Sequence, residues 1–153
     1  MAGNRTVWCD PSILLHMVYF AFVPDEVSWR ATMKRLSYPA TYPPLEGNPA
    51  CCSHLTNGDA TVALVTVAEY MDKKASMAIA EVLTHEGTHI WQRAKNHIAE
   101  REPSLEFEAL MMDHIVTELL LAYERTRQRI FTRTPAATFA HLVARQKRRG
   151  VAP

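Results

Sequence analysis

The chain has few cysteines, no long apolar run and no acidic residue after Glu124, and each shortage closes off a class of protein. Cys9, Cys51 and Cys52 are the three cysteines among 153 residues. Their number is odd and two are adjacent, so they make no disulfide framework, and their spacing is not that of a zinc finger. Free thiols fit a reducing cytosol, which makes a cytoplasmic protein the expectation. The strongly apolar stretch Ile13 to Val23 is too short to span a bilayer and contains His16, so no membrane contact is expected. It is also a poor signal peptide. Arg5 supplies a thin basic region, Asp10 and Pro11 interrupt it, and Pro24-Asp25-Glu26 follows in place of a small-residue cleavage site. The stretch reads instead as a buried strand or helix.

The missing acids are informative too. Residues 1–124 hold 9 Lys/Arg against 16 Asp/Glu, whereas residues 125–153 hold 8 Lys/Arg and no acid, so a formal net charge of +1 conceals a strong polarity. Arg125, Arg127, Arg129 and Arg133 suit the negative end of a helix dipole, and Arg145, Lys147, Arg148 and Arg149 close the chain. A basic tail can touch nucleic acid or an acidic partner, but a solvated helix end has the same pattern, so nucleic acid is not the expected partner. With 48% hydrophobic and 22% charged residues, the composition is that of a soluble globular protein of one domain. The division expected is a folded domain over 1–132 and a basic helix or tail over 133–153.

Along the chain, Asp25 to Leu36 reads as a short amphipathic helix capped by Asp25. The next twelve residues, 38–49, contain four prolines and form an irregular connection, a candidate rim for a cleft. Ala50 to Thr56 and Thr61 to Ala68 lean towards strand on either side of Asn57-Gly58-Asp59, which signals a hairpin. A helix is expected from Lys73 to about Lys95, with Asp72 as its N-cap, and a second from Ser104, just after Pro103, through Tyr123.

Inside the first of these long helices stands His85-Glu86-Gly87-Thr88-His89. Residues four apart share a helix face, so two imidazoles can bind one divalent metal while Glu86 faces a water held there. A shuffled chain of this composition contains the pattern roughly one time in fifty, so the surrounding residues must carry part of the argument. Gly87 costs about 1 kcal/mol of helix propensity relative to alanine, which points to a close approach by something to the backbone. A catalytic zinc takes three protein ligands and leaves a position for water. On the second helix the apolar stripe Leu105, Ala109, Met112, Ile115 or Val116, Leu119, Tyr123 has Glu108 in phase and Glu106 out of phase. A carboxylate on a buried face needs a partner or a metal, so Glu108 is the preferred third ligand, with Glu106 and Asp113 as alternatives. Asp113 is also a candidate to orient a ligand histidine.

The run His85-Glu86-Gly87-Thr88-His89-Ile90-Trp91-Gln92, then Glu100-Arg101-Glu102-Pro103 and Glu106-Phe107-Glu108-Ala109, resembles the small H-E-x-x-H proteins of tailed phages and prophages, described as zinc metallopeptidases. The resemblance is strongest from about residue 50 to 123. It implies a minimal zincin-like α+β domain over 1–132, with a small antiparallel sheet packed on a metal-binding helix and a long second helix. It implies zinc held by His85, His89 and Glu108, with Glu86 as general base. It also implies that Val62 to Ala68 lines the cleft as the sheet edge. His54, on the preceding strand, is a candidate to steady a developing oxyanion. The thermolysin-like pattern has an aspartate four residues after the third ligand, where this chain has Met112.

Two functions of different class follow. One is a zinc peptidase acting on a peptide or protein in the host cytoplasm. The other is a structural or assembly protein of a phage particle, bound to tail or neck components or to its own copies, which would copurify stoichiometrically with them.

Overall fold

Two uncharged, mainly apolar segments, one rich in aromatic and one in β-branched residues, occupy the centre of the molecule. A computed structural model describes residues 4–11, 14, 18–57, 60–97 and 102–127. The Gly58-Asp59 turn and the basic segment expected over 133–153 lie outside the described residues. Four strands, β1 (Val7–Trp8), β2 (Val18–Phe22), β3 (Ala50–Asn57) and β4 (Ala60–Val67), form one sheet in the order β1-β2-β4-β3. Alternate residues of the two central strands point to opposite faces, and both faces are buried. Phe20, Phe22, Ala63 and Val65 pack on one side, Ala21, Val23 and Leu64 on the other.

The class is α+β, as expected, but the sheet is mixed rather than antiparallel. β2 and β4 run parallel, with Val18 opposite Thr61 and Phe22 opposite Val65. β1 with β2 and β3 with β4 are antiparallel, the latter pair ending with Asn57 opposite Ala60. Parallel neighbours need a long crossover, and the helix and β3 between β2 and β4 supply it. A second correction follows: Val62 to Ala68 is not the sheet edge, because β4 lies between β2 and β3. The edge is β3.

Helix α1 (Glu26–Leu36) covers one face of the sheet through Trp29 and Met33. Its cap is as expected. Asp25 Oδ1 accepts the Ser28 N–H at 2.7 Å, and Arg5 pairs with the same carboxylate. The proline-rich connection packs over this helix, with Trp29 Nε1 donating to the Ala40 carbonyl at 3.1 Å and Tyr42 edge-on to the indole.

Helices α2 (Ser76–Lys95) and α3 (Leu105–Arg127) cover the other face. Asp72 does not cap α2, which starts behind Ala75 with no side-chain cap. Asp72 sits in a 3-10 helix, Glu69–Lys73, and its carboxylate is taken by other donors. Tyr123 Oη reaches one oxygen at 2.5 Å and Arg127 Nη1 the other at 2.6 Å. Arg127 Nη2 also donates to the Pro24 and Val67 carbonyls, at 2.7 and 2.8 Å. One buried guanidinium thus ties the end of α3 to the ends of β2 and β4.

The buried stripe of α3 is Met111, Ile115, Leu119, Ala122 and Tyr123. It differs from the expected stripe, which began at Leu105, since Leu105 is 86% exposed and Phe107 of the same turn packs on the core instead. Glu108 remains in phase with Met111 and Ile115. The close approach signalled by Gly87 is to α3, since a Cβ there would stand 3.2 Å from Ile115 Cγ2 and 3.4 Å from Val116 Cγ2.

Two stability measurements check these contacts. Gly87→Ala trades about 1 kcal/mol of helix propensity against that crowding and should be near neutral, whereas Gly87→Leu should cost about 1–3 kcal/mol in urea unfolding. An unchanged midpoint for the leucine variant would remove the close packing. Burial alone would raise the Asp25 carboxyl, but hydrogen bonds from Ser28 and Arg5 outweigh it and hold the group below its ordinary value. The resulting stabilisation is present above an ordinary aspartate pKa of about 3.9 and disappears as pH falls through the lower folded-state value. Asp25→Ala should therefore cost about 1 kcal/mol near neutrality, with its deficit vanishing in strong acid.

Candidate metal centre

Helix α2 has no proline and presents three sides to three neighbours. Gly87, Leu83, Ile90 and Ala94 lie on its buried side, with Gly87 against α3. Each histidine of the motif is two residues from Gly87, about 200° around the helix, so both face away from α3. One turn apart, they meet. His85 Nε2 and His89 Nε2 are 3.2 Å apart, with the rings nearly perpendicular at 87°. Two such nitrogens lie that close only if one donates its proton to the other, or if both lone pairs serve one cation. Tetrahedral zinc with Zn–N of about 2.0–2.1 Å separates two ligand nitrogens by about 3.3–3.4 Å. The pair therefore has the bite that zinc requires, and imidazole nitrogen is a suitable donor for it.

The tautomer is set from behind. His89 Nδ1 lies 3.2 Å from Gln92 Oε1, an acceptor, so Nδ1 carries the proton and Nε2 keeps its lone pair towards His85. Gln92 escaped the sequence reading of roles, although its spacing of three from His89 was a usable signal. The expected alternative, Asp113, is exposed on α3 and makes no part of this group.

Glu86 is turned to the sheet and only 6% exposed. Burial raises its carboxyl above the ordinary glutamate value, while His85, His89 and a backbone hydrogen bond from Cys52 of β3 oppose that rise. A buried carboxylate beside two imidazoles and a strand N–H is a proton acceptor held in place.

β3 faces this side of α2 with alternate residues. Cys52 and Ala50 pack into the α2 and α3 core, and Thr56 Oγ1 accepts from Arg93 Nη2 at 3.1 Å. His54, between them, shares that face. Its Nε2 lies 3.7 Å from Cys52 Sγ. Burial, then Arg93 and His89, lower its pKa, so the ring is neutral at neutral pH. Burial pushes the Cys52 thiol well up, and Cys9 is raised to about 12, so neither is a thiolate nucleophile.

Glu108 is elsewhere. It is half-buried on α3 in an ion pair with Lys95 Nζ, six residues beyond His89 on α2, and does not join the histidine pair in a three-ligand group. Glu106 is exposed. Among the described residues no three His, Cys, Asp or Glu side chains converge, as they stand, closely enough to hold a metal. No helix among the described residues is long and apolar enough to cross a membrane. Comparisons with protein families, with curated proteins and with solved structures find no match to this chain.

Nitrogen NMR of the imidazoles tests the preset tautomer. His89 should be the Nδ1–H form in the metal-free protein, and Gln92→Leu should return it towards the ordinary mixture dominated by Nε2–H. A His89 already in the Nε2–H form would sink the orienting role of Gln92.

Proposed function

We propose that the chain is a zinc-dependent hydrolase of zincin-like type, with peptide bonds as its substrate class. The observation that carries this reading is the 3.2 Å approach of His85 Nε2 and His89 Nε2, with the buried Glu86 carboxylate next to them. A structural helix has use for two histidines on one face but none for a desolvated carboxylate beside them. Bound there, zinc supplies a water of lowered pKa and polarises the substrate carbonyl. His85 and His89 hold the ion through Nε2, and Gln92 keeps the His89 ring in register. Glu86 takes the proton of the attacking water and passes it to the leaving amine, a transfer eased by burial, which pushes its carboxyl above the ordinary glutamate value and makes it the better base. The phage setting, the host cytoplasm and any tail or neck partner rest on the motif resemblance, with the three free thiols fitting a reducing compartment.

Elemental analysis of protein purified without chelator should find about one zinc per chain, lost in His89→Ala. Glu86→Gln should keep the metal and lose at least about 100-fold in cleavage of a peptide library followed by mass spectrometry. Full cleavage by the glutamine variant would remove Glu86 from the chemistry, and a folded wild type free of metal would remove the hydrolase reading.

A further inference from the structure

We propose that the third protein ligand is His54, supplied by the edge strand β3, so that a three-histidine site bridges α2 and the sheet. This rests on the metal reading of His85 and His89. It departs from the ligand set expected by resemblance, in which Glu108 on α3 completes the site.

Two contacts fix how α2 lies along β3. The Cys52 backbone N–H lies close enough to Glu86 to favour its carboxylate, and Arg93 Nη2 donates to Thr56 Oγ1. Cys52 to Thr56 is about 13 Å of strand, and Glu86 to Arg93 about 10.5 Å of helix, so the two elements run level between these ties. His54 is midway between Cys52 and Thr56, and midway between Glu86 and Arg93 falls at His89 and Ile90. Strand alternation puts His54 on the face towards α2 with Cys52 and Thr56. Ile90 is turned into the core, which leaves His89 as the residue level with His54.

What separates the His54 ring from the pair is side-chain rotation. Its Nε2 rests 3.7 Å from the Cys52 thiol, a weak contact, and the imidazole is exposed. Turning about Cα–Cβ moves the ring between staggered positions, and turning about Cβ–Cγ re-aims its nitrogens, neither of which moves the strand. Glu108 has no such route. Its carboxylate is on the side of α2 that meets α3, held by Lys95, while the histidines point the other way. With His54 the donors become three neutral nitrogens, leaving a fourth position for water.

Cobalt(II) alone, titrated into the metal-free protein, tests this by visible absorption and by competition with a chromogenic chelator. The wild type should give the strong d–d bands of a tetrahedral site. His54→Ala should lose affinity by more than the roughly 10–100-fold that removal of an outer-shell partner causes, and Glu108→Gln should stay within a few-fold of wild type. His54→Cys, with an unchanged circular dichroism spectrum, should restore binding and add a sulfur-to-cobalt charge-transfer band absent from the wild type. Wild-type affinity in His54→Ala, or its collapse in Glu108→Gln, would overturn the assignment while leaving the histidine pair as ligands. A charge-transfer band in the wild type would place the Cys52 thiol there instead. Failure of the wild type to bind cobalt, or binding indifferent to His89→Ala, would overturn the metal reading itself and this proposal with it.

Discussion

The rotation of α2 about its own axis is the constraint on which the site depends, and Gly87 sets it. With no Cβ at that position, Ile115 and Val116 come against the helix backbone, and α3 docks at one particular angle around α2. Successive residues turn by about 100°, so that one contact directs every other side chain of the helix. His85 and His89 are swung away from α3, Glu86 and Arg93 are turned onto β3, and Ile79, Leu83 and Ile90 enter the core. A helix rolled by one residue in one direction would bury both imidazoles, and in the other would expose Glu86. The glycine that weakens α2 as an isolated helix is what gives the motif its orientation.

Two glutamates beside α2 illustrate how environment separates residues of the same type. Glu86 is taken out of water and left with soft partners, two imidazoles and a strand N–H, which moderate its charge without neutralising it. Glu108 is met by a full ammonium from Lys95. The first arrangement suits a group that must accept and release a proton. The second satisfies a half-buried carboxylate and leaves it little reason to leave its partner.

Elements with local signals were legible before the structure. Asp25 capping α1, the hairpin around Gly58-Asp59, and the spans of α2 and α3 follow from turn chemistry, capping and periodicity. The pairing of β2 with β4 does not, because nothing in either strand records which neighbour lies beside it or in which direction. Misreading the sheet as antiparallel carried a second error, the choice of β4 as the edge. Asp72 shows another limit. It has the right residue type for a cap, but its distant partners Tyr123 and Arg127 offer more hydrogen bonds than α2 could. Helical phase puts Glu108 in line with the buried stripe of α3, but phase within one helix does not record that Lys95 of α2 will be its partner.

The Arg127 clasp has a consequence for how the molecule opens and closes. Its bonds to Asp72, Val67 and Pro24 span 55, 60 and 103 residues of chain. Loops that long are entropically costly to close, and both carbonyls take their positions only once β2 and β4 have paired. Contacts of such long sequence separation are expected late in folding rather than in its nucleus. An interaction absent from the transition state leaves the folding rate almost untouched and slows escape from the native state. Arg127 acts as a latch on the finished fold, measured in its lifetime more than in the speed of its formation.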